Sequence, residues 1–222
     1  MNFWEGFLTK LAQGTVTTLQ LLSITIPLSI ALGIVVGIFR AYGGKLGSLI
    51  AEIYVLVFRG FPLLVTMMII FFGLADLGIM LEPFWAASIA IILCSSAYQS
   101  EYVKAAFLSI DEGQSLAAKA IGMSKLQEVL YIIMPQAIRI ALPGITNEII
   151  YMILYSSLSY IIGVSEIFSA AVSTNSIWFR PGEIFGSIAL IYLAMATAVS
   201  SLFKKLEDRL RIPGFERVRS SI

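Results

Sequence analysis

From Leu11 to Phe39 the chain carries no charged side chain. A helix needs about 20 predominantly apolar residues to cross the ~30 Å hydrocarbon core of a bilayer. Inside that core every backbone N–H and C=O must be satisfied within the protein, which leaves helices and closed barrels as the only spanning structures. The run therefore reads as a membrane-spanning helix. Composition agrees: the 222 residues are 58% hydrophobic and 13% charged, whereas a soluble domain has about 25% charged residues. The run has no positive leader and no small-residue cleavage site, so it reads as a retained span and not as a signal peptide. Ahead of it, residues 1–14 hold Phe3, Trp4, Phe7, Leu8 and Leu11, the pattern of a short amphipathic lead-in with an aromatic anchor at the interface. Pro27, Gly33 and Gly37 lie within the run and predict a kink or a close helix contact.

Further apolar stretches follow. Arg40 and Lys45 flank a Gly43–Gly44 turn, and Ile50 to Phe58 is helical in pattern but interrupted by Glu52. At Arg59-Gly60-Phe61-Pro62 the proline disfavours helical geometry at Phe61, which predicts a helix break. The expectation is an all-α integral membrane fold and one transmembrane domain over residues 1–222, with spans at about 15–39, 60–75, 84–104, 140–163 and 184–203. The later half of the third span is unusually polar, with Cys94, Ser95, Ser96, Tyr98, Gln99 and Ser100; the fourth holds Asn147 and Glu148. Val164 to Pro181 reads as a loop with a short helix, anchored at the interface by Trp178 and Phe179.

Cations set the orientation. Arg40, Lys45, Lys104, Lys119, Lys125 and the tail residues Lys204, Lys205, Arg209, Arg211, Arg217 and Arg219 fall in alternate connections, and the opposite side keeps Lys10 and Arg180. The positive-inside rule makes the first set cytoplasmic. Five spans then place the N-terminus outside and the C-terminus in the cytoplasm.

Residues 111–135 are the one sizeable polar segment between very apolar ones. Asp111 is an N-cap with Gln114 three residues on, Gly122 suits the left-handed residue that stops a helix, and Ser124 with Gln127 forms a capping box for a second helix. Leu116, Ala117, Ala120 and Ile121 make an apolar stripe on the first helix; Leu126, Val129, Leu130 and Ile133 make one on the second. A small-faced helix pair of this kind fits a groove on a cytoplasmic partner. The plain alternative is a connecting loop with two helical turns.

Several chemistries find no residues here. There is no histidine, so neither the commonest metal ligand nor a histidine-based triad is available. No G-x-x-x-x-G-K-[ST] phosphate loop occurs, the single Cys94 allows no internal disulfide, and a net charge of +1 gives no reason to expect a nucleic-acid partner. The chain reads as a non-enzyme without a metal.

Three stretches carry a recognisable pattern: Arg59-Gly60-Phe61-Pro62-Leu63-Leu64-Val65; the run from Glu101, EYVKAAFLSIDEGQSLAAKAIGMS; and Pro135-Gln136-Ala137-Ile138-Arg139 with Ala141-Leu142-Pro143, followed by Asn147-Glu148. On these the chain resembles the membrane subunits of ABC importers for polar amino acids, the histidine/glutamine-type permease family. The resemblance implies a type I ABC importer permease fold, with a coupling-helix pair between the third and fourth spans, in a prokaryotic inner membrane. It also implies partners: a cytoplasmic ATPase subunit that binds ATP and Mg, a second permease chain, identical or not, and an extracytoplasmic amino-acid-binding protein. By the same resemblance Gly113, Gln114, Leu116, Ala117, Ala118, Gly122, Met123 and Ser124 would couple to the ATPase. Two positions depart from the pattern: Leu116 replaces the usual Glu of Glu-Ala-Ala, and Tyr155 replaces the usual Lys.

An importer must carry a polar solute past hydrocarbon, which requires polar groups facing an interior path. Glu148, Tyr151 and Tyr155 lie at helical spacing on the fourth span. Glu148 would receive an amino group, and Asn147 or a tyrosine hydroxyl a carboxylate, with Ser95, Ser96 and Gln99 lining the same path. The alternative is that these groups satisfy one another across helices. Arg59 and Glu101 read as structural charges near the cytoplasmic side. Half of an ion-coupled secondary transporter and a membrane scaffold that tethers a cytoplasmic partner are the competing functions.

Overall fold

The computed structural model describes residues 2–210. Its elements are α1 (Phe3–Tyr42), α2 (Gly44–Gly60), α3 (Leu63–Asp76), α4 (Pro83–Leu108), α5 (Glu112–Ala120), α6 (Lys125–Ile162), α7 (Ile167–Trp178) and α8 (Pro181–Leu210). There is no strand among the described residues. The tail cations Arg211, Arg217 and Arg219 lie outside them.

The break at Gly60-Phe61-Pro62 occurs where the proline demands it. Phe61 and Pro62 are extended (ψ 140° and 138°), and α2 and α3 meet at 101°. One expectation changes here. α3 by itself is short for a span, because its 14 residues rise only about 21 Å; together with α2 it has the length and apolarity of one broken span or of a re-entrant loop. The lead-in also differs, since residues 3–14 are the first turns of α1, which runs unbroken through Pro27 to Tyr42. Phe3, Phe7 and Leu11 hold it there by packing on Ile167, Ala171, Ile184 and Ile188.

Among the described residues three helices, α1, α6 and α8, are each long and apolar enough to cross a membrane, and the bent pair is apolar enough to make a fourth if it counts as one span. The remaining long helix, α4, has the length, about 39 Å for its 26 residues, but not the apolarity. It lies at the centre, against α1, α2, α3 and α6. Ser95, Ser96, Gln99 and Ser100 are buried there by protein and not by lipid. Close approach of α1 depends on glycine. A methyl group at Gly33 would sit 2.8 Å from Gln99 Cβ, and one at Gly37 would sit 2.7 Å from Val103 Cβ. Gly33 and Gly37 are thus the small-xxx-small face that lets two helix backbones meet.

Two further apolar clusters pack along α4. One joins Leu21 and Leu22 of α1 to Met67, Ala90, Ile91, Met152 and Ile153. The other joins Val103, Ala106 and Phe107 of α4 to Ile133, Ala137, Ala141 and Ile145 of α6.

Candidate functional site: a helical elbow and a polar seam along α4 and α6

The elbow is built by its caps. Asp111 Oδ1 accepts the N–H of Gly113 at 2.7 Å and opens α5. Gln114 does not reach back as expected; its side chain lies beside Gln136, whose Nε2 donates to Gln114 Oε1 at 3.4 Å. After Ala120 the chain turns at Gly122, which sits in the left-handed region at φ +81°, and Met123 N–H closes the turn on Ala118 O at 3.1 Å. Ser124 and Gln127 cap each other reciprocally and start α6. Of the residues in α5 only Ala118 is buried. Leu116 is 65% exposed and Ile121 77%, with Ala117 and Ala120 exposed between them. The apolar stripe of the first helix therefore faces away from the rest of the chain, while Val129 and Ile133 of the second are buried in it.

Behind the elbow, five charges gather on α1, α2 and α4. Arg40 donates to Glu52 at 3.0 Å, to Glu101 at 3.1 Å and to Ser100 Oγ at 3.2 Å. Arg59 pairs with Glu101, and Lys104 reaches Glu52 at 2.5 Å. The sequence singles out Arg59 and Glu101 but misses Arg40, the most deeply buried of the five. A signal was present: Gly33, Gly37 and Arg40 fall at i, i+4 and i+7, so Arg40 continues the face that presses on α4.

Toward the middle of the bundle, α6 presents two rows. Asn147 and Tyr151 lie on the open side, with Tyr155 half-buried beside them. The Tyr151 and Tyr155 rings stack with centroids 5.7 Å apart. Tyr98 and Tyr102 approach from α4, and a methyl group at Gly144 would come within 2.6 Å of Tyr102 Cδ1. Neither α4 tyrosine is singled out by the sequence as a path residue, although their i, i+4 spacing places both on one face. The second row turns inward. Glu148 is 3% exposed, lies beside Ser95, and its Oε1 has no hydrogen-bond partner among the described residues. Gln99 departs from the expected path: it is fully buried against Gly33, and its Nε2 donates to Ser29 Oγ at 3.1 Å. The close α1–α4 contact turns it from the open side.

Residues 29–212 match the family model described as "Binding-protein-dependent transport system inner membrane component". The chain belongs to this family. It is 32% identical over 204 residues to the glutamine transport system permease protein GlnP of Escherichia coli (strain K12), covering 91% of this chain and 93% of that protein. It is 34% identical over 213 residues to the octopine transport system permease protein OccM of Rhizobium radiobacter, covering 92% and 86%. Among solved structures, that of an amino acid ABC transporter with histidines aligns at a TM-score of 0.84 and 31% identity, covering 94% of this chain and 99% of that one. The inward-facing MetNI methionine ABC transporter aligns at a TM-score of 0.79 and 16% identity, a likeness of fold alone. The all-helical type I importer architecture is thus shown, and so is the membership of a membrane component family of amino acid transport systems.

Proposed function

We propose that this chain is the membrane subunit of an ATP-driven importer for a polar amino acid. It would work with a cytoplasmic ATPase, a second permease chain and an extracytoplasmic binding protein. The observation that carries this reading is the elbow: α5 exposes Leu116, Ala117, Ala120 and Ile121 outside the bundle, an apolar face that needs a protein partner. Arg40 and Lys104 gather on the elbow's side of the bundle, whereas Lys10 reaches Ser173 and Arg180 lies over the Phe3 ring beside α7. The positive-inside rule then turns the elbow to the cytoplasm and the N-terminus outward.

In this mechanism the binding protein releases its amino acid at the outer face. ATP and Mg, held by the ATPase, close the two ATPase subunits, and the elbows move with them. The two permease chains rock, and the path between them changes the side to which it opens. Along that path Glu148 receives the ammonium group of the solute. A carboxylate in a span is costly unless paired or hydrated, and its Oε1 has no partner among the described residues. Asn147 and the tyrosine hydroxyls receive the carboxylate. The ATP chemistry belongs to the partner.

The test is reconstitution in liposomes with the ATPase and the binding protein, and uptake of labelled amino acids with and without ATP. Uptake that requires ATP supports the reading; ion-driven uptake without the ATPase overturns it. Gly122→Trp has open space around it but a left-handed backbone that costs a side chain roughly 1–2 kcal/mol. It is expected to abolish ATP-coupled uptake while the spans remain inserted.

A further inference from the structure

The join between α5 and α6 has a feature that neither the family pattern nor the capping residues account for. Covalently, the two helices meet through Ile121–Ser124, a turn that pivots on Gly122 with nothing packed around it. The apolar anchorage of α5 is thin, because Ala118 alone is buried. What ties α5 down, beside the longer Gln136–Gln114 bond at 3.4 Å, is a carboxylate. Glu128, on α6, is 1% exposed, and its Oε1 accepts the Ser115 hydroxyl of α5 at 2.6 Å and the Lys125 ammonium at 2.6 Å. Lys125 in turn lies 5.1 Å from the centre of the Tyr42 ring at the end of α1, and that ring meets Phe107 of α4 edge-on at 5.4 Å. The π-helical segment Glu128–Ile133 begins at the same residue. Such wide turns interrupt the regular ladder and recur where a helix has a special task.

We propose that Glu128 is a positioning residue that makes the coupling helix and the α6 rod one rigid body, so that a push on α5 reaches the substrate path. Glu148, Tyr151 and Tyr155 ride on the same rod, the first of them about 30 Å from Glu128. Without the Ser115–Glu128 link, α5 swivels about Gly122 and the push is absorbed there. Both contacts fall on Oε1, and Oε2 has no partner among the described residues; a buried carboxylate is costly without partners, so the Oε1 contacts are the ones that hold the elbow. The inference rests on the reading above that α5 meets the ATPase.

The test uses the complete transporter in proteoliposomes and reads amino acid taken up per ATP hydrolysed. Ser115→Ala and Glu128→Ala are expected to lower that ratio about ten-fold, the size of a coupled polar pair, while assembly and basal ATP hydrolysis persist. Glu128→Gln, which keeps an acceptor for Ser115, is expected to retain more. The double variant is expected to be no worse than Glu128→Ala alone. Spin labels on Ala120→Cys and Tyr131→Cys read the elbow directly, and Ser115→Ala should broaden their distance distribution. Wild-type coupling with an unchanged distribution overturns the proposal. So does a fall of uptake and hydrolysis in equal proportion with loss of assembly, because that marks simple structural cement. If the unaltered complex shows no ATP-driven uptake, the functional reading fails, and the distance measurement still decides the latch.

Discussion

Two buried glutamates on the two sides of this bundle differ in one respect. Glu166, at the start of α7, has both carboxylate oxygens bonded: Oε2 accepts Phe168 N–H at 2.8 Å and the Tyr192 hydroxyl at 3.0 Å, and Oε1 accepts Ser169 N–H at 2.7 Å. Next to it, Ile167 N–H donates to Thr18 Oγ1 at 3.3 Å, and Gly14 lets α1 approach so closely that a methyl group there would sit 2.7 Å from the Glu166 carbonyl oxygen. Glu148, midway along α6, is equally buried yet leaves Oε1 without a partner among the described residues. The first acid is used up by its own fold: it caps a helix and joins α7 to α1 and α8. The second has an oxygen with no partner among the described residues, which is what the proposed solute contact would use. Burial is the same in both; the difference lies in hydrogen-bond satisfaction.

The comparison can be broken by substitution. Glu166→Ala removes a cap and strands two N–H groups and a hydroxyl in the interior, and should cost about 3 kcal/mol of stability; thermal unfolding in detergent measures it, and a loss well under 1 kcal/mol would dissolve the contrast. Glu148→Gln should leave unfolding almost unmoved but reduce uptake by about 10- to 100-fold, the size of about 1.4–2.7 kcal/mol of lost solute binding or coupling. If uptake is retained and stability falls instead, Glu148 is a second structural acid. Tyr192→Phe sharpens the picture at smaller scale, because it removes one of three donors to Glu166 and should cost about 1 kcal/mol in the same unfolding assay.

Glu128 supplies a third, milder case, outside the spans. The Lys125 ammonium, and then the Ser115 hydroxyl, hold its carboxyl below the usual carboxylate value. A lowered value in the folded state means that the ionised form favours the folded elbow. That contribution is complete above the ordinary carboxylate value and is lost as pH falls through the lowered one. Limited proteolysis between Ala120 and Ser124 should therefore quicken at acid pH in the unaltered chain. Glu128→Gln should flatten that dependence. Because Lys125 is more than half exposed, salt should weaken the effect, and no salt response would count against the pairing.

How much of this was legible beforehand follows from what each feature depends on. Helix breaks and caps are decided within a few residues. Pro62 forces Phe61 out of helical geometry, Gly122 takes the left-handed turn, and Ser124 with Gln127 caps the next helix, all as their local chemistry predicts. The uncharged run from Leu11 and the polar elbow likewise show a membrane chain with a polar helix pair, and the motifs resemble those of an importer family. Partners across helices are different, because sequence separation hides them. Arg40 reaches Glu101 only because Gly33 and Gly37 let α1 lie against α4. Gln99 leaves the expected path for Ser29 through the same contact.

The sequence by itself determined the membrane class, the breaks and the caps, since those depend on apolarity over about 20 residues and on backbone preferences of single residues. Only the tertiary structure decided which buried polar groups are satisfied. That depends on distances between side chains far apart in the chain, set by how closely the helices pack. Glu166 therefore ends with a full set of donors and Glu148 with an oxygen to spare, although as letters in a sequence they are the same residue.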